Sequence, residues 1–140
     1  MLIREMIAAH PQVRGEVDDA LVDCIDACFD CAKTCASCAD ACLGEAMVAD
    51  LTQCIRLDLD CADLCVAAGA LATRRTGQDD AVLKATLEAC ALACGRCAAE
   101  CERHAERHEH CRICAEMCRA CERACETVAA AMVVEPSMAH

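Results

Sequence analysis

Cysteine recurs along this chain at steps of four and three. The residues are Cys24, Cys28, Cys31, Cys35, Cys38 and Cys42; Cys54, Cys61 and Cys65; Cys90, Cys94, Cys97 and Cys101; and Cys111, Cys114, Cys118, Cys121 and Cys125. The one step of seven, from Cys54 to Cys61, is four plus three. Such a rhythm keeps side chains on one stripe of an α-helix, whereas a strand needs a step of two. The spacing predicts helices packed with their thiols on a common interior.

Each seam continues past its cysteines. The first runs from Val17 and Leu21 into Cys24; the second reads Met47, Leu51, Cys54, Asp58, Cys61, Cys65, Ala68, Ala72. The third reads Leu83, Leu87, Cys90 to Cys101, His104, His108, and the fourth runs from Cys111 to Cys125, then Val128 and Met132. Breaks divide the seams. Gly44 suits a left-handed position just past a helix end. Arg74 and Arg75 place positive charge at a helix C-terminus, and Asp79 and Asp80 place negative charge at the next N-terminus. Pro11 and Gly15 set off a short helix at about 2–9, and Glu135-Pro136 ends the last segment. Between Cys101 and Cys111 there is neither Gly nor Pro. A turn near 104–109 is nevertheless expected, because one long rod would leave half its thiol seam without a partner.

The expectation is an all-α, antiparallel up-down-up-down four-helix bundle with a short N-terminal helix and a cysteine-lined core. It forms a single domain over 1–140, with the bundle at about 16–133 and a tail at 134–140. Antiparallel order sorts the seams by end. Val17, Leu21, Ala68, Ala72, Leu83, Leu87, Val128 and Met132 seal one end with hydrocarbon. Cys38, Cys42, Met47, Cys54, Asp58, Cys101, His104, His108 and Cys111 gather at the other.

Composition decides what such thiols are for. Eighteen of 140 residues are cysteine, Trp and Tyr are absent, and Phe29 is the single aromatic of its class. Cysteine and alanine must therefore fill a core that aromatic and large aliphatic side chains normally fill. A secreted disulfide scaffold would be loop-rich, but the chain has five Gly and two Pro. Its first residues carry no apolar signal region and no twin arginine, so a cytoplasmic location with reduced thiols is expected. No apolar run approaches the ~20 residues that span a bilayer. The formal charge of −11 argues against a nucleic-acid partner.

A solitary buried cysteine is a small hydrophobe. Eighteen on four seams are not explained that way, since Leu, Val or Ala would pack as well without the risk of oxidation. Thiolates favour Cu(I), Zn(II) or Fe–S clusters. Fe–S ligands generally come at loop spacings, often followed by Pro. A Zn(II) ion with four thiolates carries a net −2 charge, and the seams offer no Lys or Arg to offset several such sites. One Cu⁺ per thiolate is neutral and can fill a dry interior. Cu(I) also accepts two-coordinate geometry, and cysteines three or four apart on a helix have Cβ atoms ~5–6 Å apart. The expected chelates are the i,i+4 pairs, such as Cys24–Cys28, Cys31–Cys35, Cys38–Cys42, Cys61–Cys65, Cys90–Cys94, Cys97–Cys101, Cys114–Cys118 and Cys121–Cys125. Capacity is then on the order of 18 Cu(I) per chain. At the ligand-bearing end, Asp58, His104 and His108 are candidates to receive copper before softer thiolates take it. Met47 is a further candidate, and His110, off the seam, reads as a solvated residue.

The C-x₃-C-x₂-C-x₃-C seams resemble those of the bacterial copper storage proteins over about residues 17–132, and specifically their cytosolic branch. The resemblance implies a homotetramer of four-helix bundles, Cu(I) held mostly by the core cysteines, and uptake at one open end. His104 and His108 match the family pattern at that end. Ile25, Phe29, Ile55, Leu59 and Val66, apolar and off the seam, are candidates for a subunit interface. A copper chaperone or a copper-requiring acceptor would be the exchange partner. Two alternatives stand beside this reading: a metallothionein-like buffer for zinc or cadmium, and a thiol redox or Fe–S protein. A redox cysteine needs neighbouring positive charge, and the seams have none. No nucleophile–base arrangement marks the chain as an enzyme.

Overall fold

The computed structural model describes residues 2–134. Helix α1 spans Leu2–Ala8, α2 Asp19–Leu43, α3 Thr52–Thr73, α4 Asp80–His104 and α5 Glu109–Ala131, with a 3₁₀ turn at Val48–Leu51 before α3. Helices α2 to α5 form the expected antiparallel bundle: α2 packs on α3 and α5, and α4 packs on α3 and α5. No strand occurs among the described residues, and none of their helices is long and apolar enough to cross a membrane.

Local chemistry sets the helix starts. The Asp18 carboxylate accepts from the Ala20 N–H at 3.0 Å, and Asp79 accepts from Ala81 and Val82 at 3.0 and 3.2 Å. Both residues are extended N-caps that satisfy donors the first turn leaves free. The turn expected near 104–109 is present: α4 ends at His104 and α5 opens at Glu109 behind an extended His108.

Two breaks differ from expectation. Gly44 is right-handed (φ −85°, ψ −6°) and donates its N–H to Asp40 and Ala41 carbonyls, tightening the last turn instead of reversing it. Helix α5 ends at Ala131, and Met132 is already extended. The Lys84 ammonium closes that end, donating to the Ala129 and Met132 carbonyls at 2.7 and 3.3 Å. Glu135-Pro136 and the tail after Val134 lie outside the described residues.

The core is a column of sulfur with hydrocarbon at one end. Leu21, Ala68, Ala72, Leu83, Leu87 and Val128 are buried there, while Val17 and Met132 are half-buried. Helix α1 supplies what the seams do not: Ile7, only 3% exposed, lies on this end and packs with the core. An Arg4–Asp19 ion pair at 2.7 Å and a 3.1 Å hydrogen bond between Thr76 Oγ1 and His10 Nε2 tie the N-terminal segment down. Ile25, expected at an interface, is fully buried instead; Phe29, Leu59 and Val66 are exposed and Ile55 is half-buried. The Phe29 ring lies over Gly69, where an added Cβ would meet it at 2.9 Å.

Candidate metal centre

All eighteen cysteines are free and buried. Helical periodicity accounts for that directly, since steps of three and four keep each thiol on the stripe facing the bundle axis. Three of the expected i,i+4 pairs bring their sulfurs within reach: Cys31–Cys35 at 3.8 Å, Cys61–Cys65 at 3.9 Å and Cys114–Cys118 at 4.0 Å. The shortest approaches run between helices instead. Cys35–Cys118 and Cys61–Cys94 meet at 3.5 Å, and Cys28–Cys125, Cys65–Cys90 and Cys54–Cys101 at 3.6 Å. Adjacent sulfurs on one helix are separated by the helical rise, whereas facing helices can interdigitate them.

The thiols therefore collect in fours. Cys28, Cys90, Cys121 and Cys125 form one group and Cys38, Cys42, Cys54 and Cys111 another, with ligand atoms all within 4.8 Å of one another. Between them, Cys31, Cys35, Cys118 and Cys121 each belong to two such groups. Shared corners prevent these fours from filling as separate tetrahedra. They suit bridging thiolates, and hence a monovalent soft ion in a connected array.

The hydrogen bond with Cys101 holds Cys54 low at the ligand-bearing end, but burial keeps Cys42 and Cys111 protonated there. It pushes Cys42 up from the ordinary thiol value and Cys111 up to about 12. A protonated thiol packs as a hydrophobe, so the core can form without metal, and each ion bound must displace protons.

Asp58 is not at a wet end. It is fully buried in α3, and its Oδ1 accepts from the Cys97 thiol at 3.0 Å and the Cys114 thiol at 3.3 Å, while Oδ2 has no partner. Burial, more than the Cys114 sulfur beside it, raises this carboxyl to about 8. Its unpartnered oxygen is a hard atom inside a soft column.

The histidines lie nearer the surface. His104 is 9% exposed, and its Nε2 lies 2.8 Å from Oε2 of Glu100, one turn earlier on α4. His108 Nδ1 lies 3.0 Å from Glu45 Oε2. His110, read from the sequence as a solvated residue, folds inward: its Nδ1 lies 3.4 Å from Cys38 Sγ and 3.6 Å from Cys111 Sγ. Its Nε2 bonds the same Glu45 oxygen at 2.9 Å. The heptad count missed His110 because α4 stops at His104 and α5 restarts at Glu109, so no helical register crosses the turn. Met47 is largely exposed at the start of the 3₁₀ turn, outside the thiol cluster.

Comparison with known proteins agrees with this geometry. The sequence profile of the copper storage protein family matches residues 17–130. No curated protein sequence matches the chain. Among solved structures, the copper storage protein Ccsp from Streptomyces lividans, loaded with 10 copper equivalents, is 50% identical with a TM-score of 0.89, over 93% of this chain and 99% of that one. A cytosolic copper storage protein from the same organism, carrying five coppers, is 54% identical with a TM-score of 0.81, over 82% of this chain and 96% of that one. The Cu(I)-bound copper storage protein BsCsp3 is 36% identical with a TM-score of 0.71, over 79% of this chain and 99% of that one. A thiol column on four helical seams, matched across nearly the whole bundle by that profile and those folds, places this chain in the copper storage protein family.

Proposed function

We propose that the protein stores Cu(I) in the cytosol, holding roughly one ion per cysteine through bridging thiolates along the bundle axis. The observation that carries this reading is the column of eighteen free, buried sulfurs with shared corners. The ligands are Cys24, Cys28, Cys31, Cys35, Cys38, Cys42, Cys54, Cys61, Cys65, Cys90, Cys94, Cys97, Cys101, Cys111, Cys114, Cys118, Cys121 and Cys125. His104 and His108 receive copper at the ligand-bearing end, and the unpartnered Asp58 oxygen takes part deeper inside. The chain is a store and not an enzyme. It acts as one domain, exchanges copper with a chaperone or a copper-requiring acceptor, and assembles as a homotetramer through exposed faces that include Phe29, Leu59 and Val66.

Anaerobic titration with Cu(I) against a competing chelator, followed by metal analysis, tests the proposal. Near one copper per cysteine is expected, whereas a zinc buffer would stop at about four ions per chain, each taking four thiolates. Strong helical circular dichroism should persist without metal. Saturation near four ions of either metal would contradict the storage reading.

A further inference from the structure

Glu45 belongs to the connection between α2 and α3, on the far side of the mouth from His108, in the α4–α5 turn, and His110, in the first turn of α5. One of its oxygens meets both rings, His110 Nε2 at 2.9 Å and His108 Nδ1 at 3.0 Å. The rings stack, with centroids 5.5 Å apart and planes 22° apart. The His110 contact is a hydrogen bond and the His108 contact a close approach, and a carboxylate oxygen at such distances favours a proton on the facing nitrogen, since two lone pairs would repel. His110 is thereby protonated on Nε2 and turns the lone pair of Nδ1 toward Cys38 and Cys111. The same oxygen favours the His108 proton on Nδ1, which leaves that ring's lone pair on Nε2. Two neighbouring imidazoles thus present opposite nitrogens for ligation, and a single acid chooses both.

We propose that Glu45 is the positioning residue of the mouth, fixing the tautomers and the stacked orientation in which His108 and His110 pass Cu(I) toward Cys38 and Cys111. This rests on the reading that the bundle fills through its histidine-bearing end. Partners that orient a ligating imidazole through its other nitrogen commonly govern metal binding in this way. Glu45 itself carries no copper in this scheme. Of the two rings His108 is the sensitive one, because a free imidazole prefers its proton on Nε2 and only the carboxylate holds it on Nδ1.

Long-range proton–nitrogen NMR of the metal-free, ¹⁵N-histidine-labelled protein reads the tautomers without copper. In the wild type, His108 is expected as the Nδ1–H form and His110 as the Nε2–H form. In Glu45→Ala, His108 should revert to Nε2–H. Stopped-flow uptake from a chromophoric Cu(I) chelator should slow roughly threefold in that variant, less than removal of the rings themselves, with the final copper per chain unchanged. Glu45→Gln keeps an acceptor oxygen at the same reach and should recover most of the rate. A His108 that is Nε2–H in the wild type, or unmoved by Glu45→Ala, overturns the proposal, as does a Glu45→Gln as slow as the alanine variant. His108→Ala loading at the wild-type rate would instead remove the uptake reading, leaving the tautomer result standing.

Discussion

The closed end and the mouth of the bundle share one helical seam and end in opposite chemistry. At the closed end the seam carries Leu21, Leu83, Leu87 and Val128, and Ile7 of α1 covers it. At the mouth the same positions carry Cys38, Cys42, Cys54 and Cys111, ringed by three histidines and two carboxylates. The backbone geometry is common to both. Side-chain identity alone makes one end a hydrocarbon plug, whose burial supplies stability, and the other a place where a soft ion can exchange water for imidazole and then thiolate.

Four measurements would break or sharpen that contrast. Leu87→Ala, in the plug, should destabilise the metal-free protein by about 2–5 kcal/mol in denaturant unfolding. Copper per folded chain should not change; a parallel loss of capacity would show that the two ends are not separable.

In the sulfur column the balance should invert. Cys35 and Cys118 each belong to two four-thiol groups. Replacing both with alanine should remove more than two coppers at a cost of about 1 kcal/mol per site in the metal-free state. Metal analysis showing a loss of two or fewer would refute the sharing of corners.

Asp58 gives the column a pH signature. Its carboxyl is raised to about 8 because burial favours the neutral form. The stability it contributes is complete below the unfolded carboxylate value and is lost as pH rises through about 8. Metal-free stability should fall across that window by at most about 1.4 kcal/mol per pH unit. Asp58→Asn should flatten this slope in unfolding curves recorded from pH 4 to 8, and an unchanged slope would assign it elsewhere.

The smallest effect concerns the mouth. The combined His104→Ala and His108→Ala variant should slow Cu(I) uptake by roughly fivefold, about 1 kcal/mol on the barrier, with capacity intact. Equal stopped-flow traces would show that copper reaches the thiols without them.

Much of this molecule could be read before any coordinates. Steps of three and four specify an interior stripe on each helix, and all eighteen cysteines lie on it because helical phase depends only on local backbone geometry. The same argument located Leu21, Leu83, Leu87 and Val128 at one end. Its reach stopped where regular helix stops. His110 turns inward and Met47 outward where the register gave the reverse, since an extended His108 and a 3₁₀ turn at Val48–Leu51 reset the phase.

Sequence alone therefore determined which side chains face the axis, and with them the soft-metal chemistry. Tertiary structure decided which sulfurs meet across helices, how deep Asp58 lies, that Ile25 is core, and that Glu45 joins two histidines from an opposite loop. Those matters depend on the axial stagger and spacing of neighbouring helices and on the path of their connections. Such quantities arise from packing between segments distant in sequence, which no local period encodes.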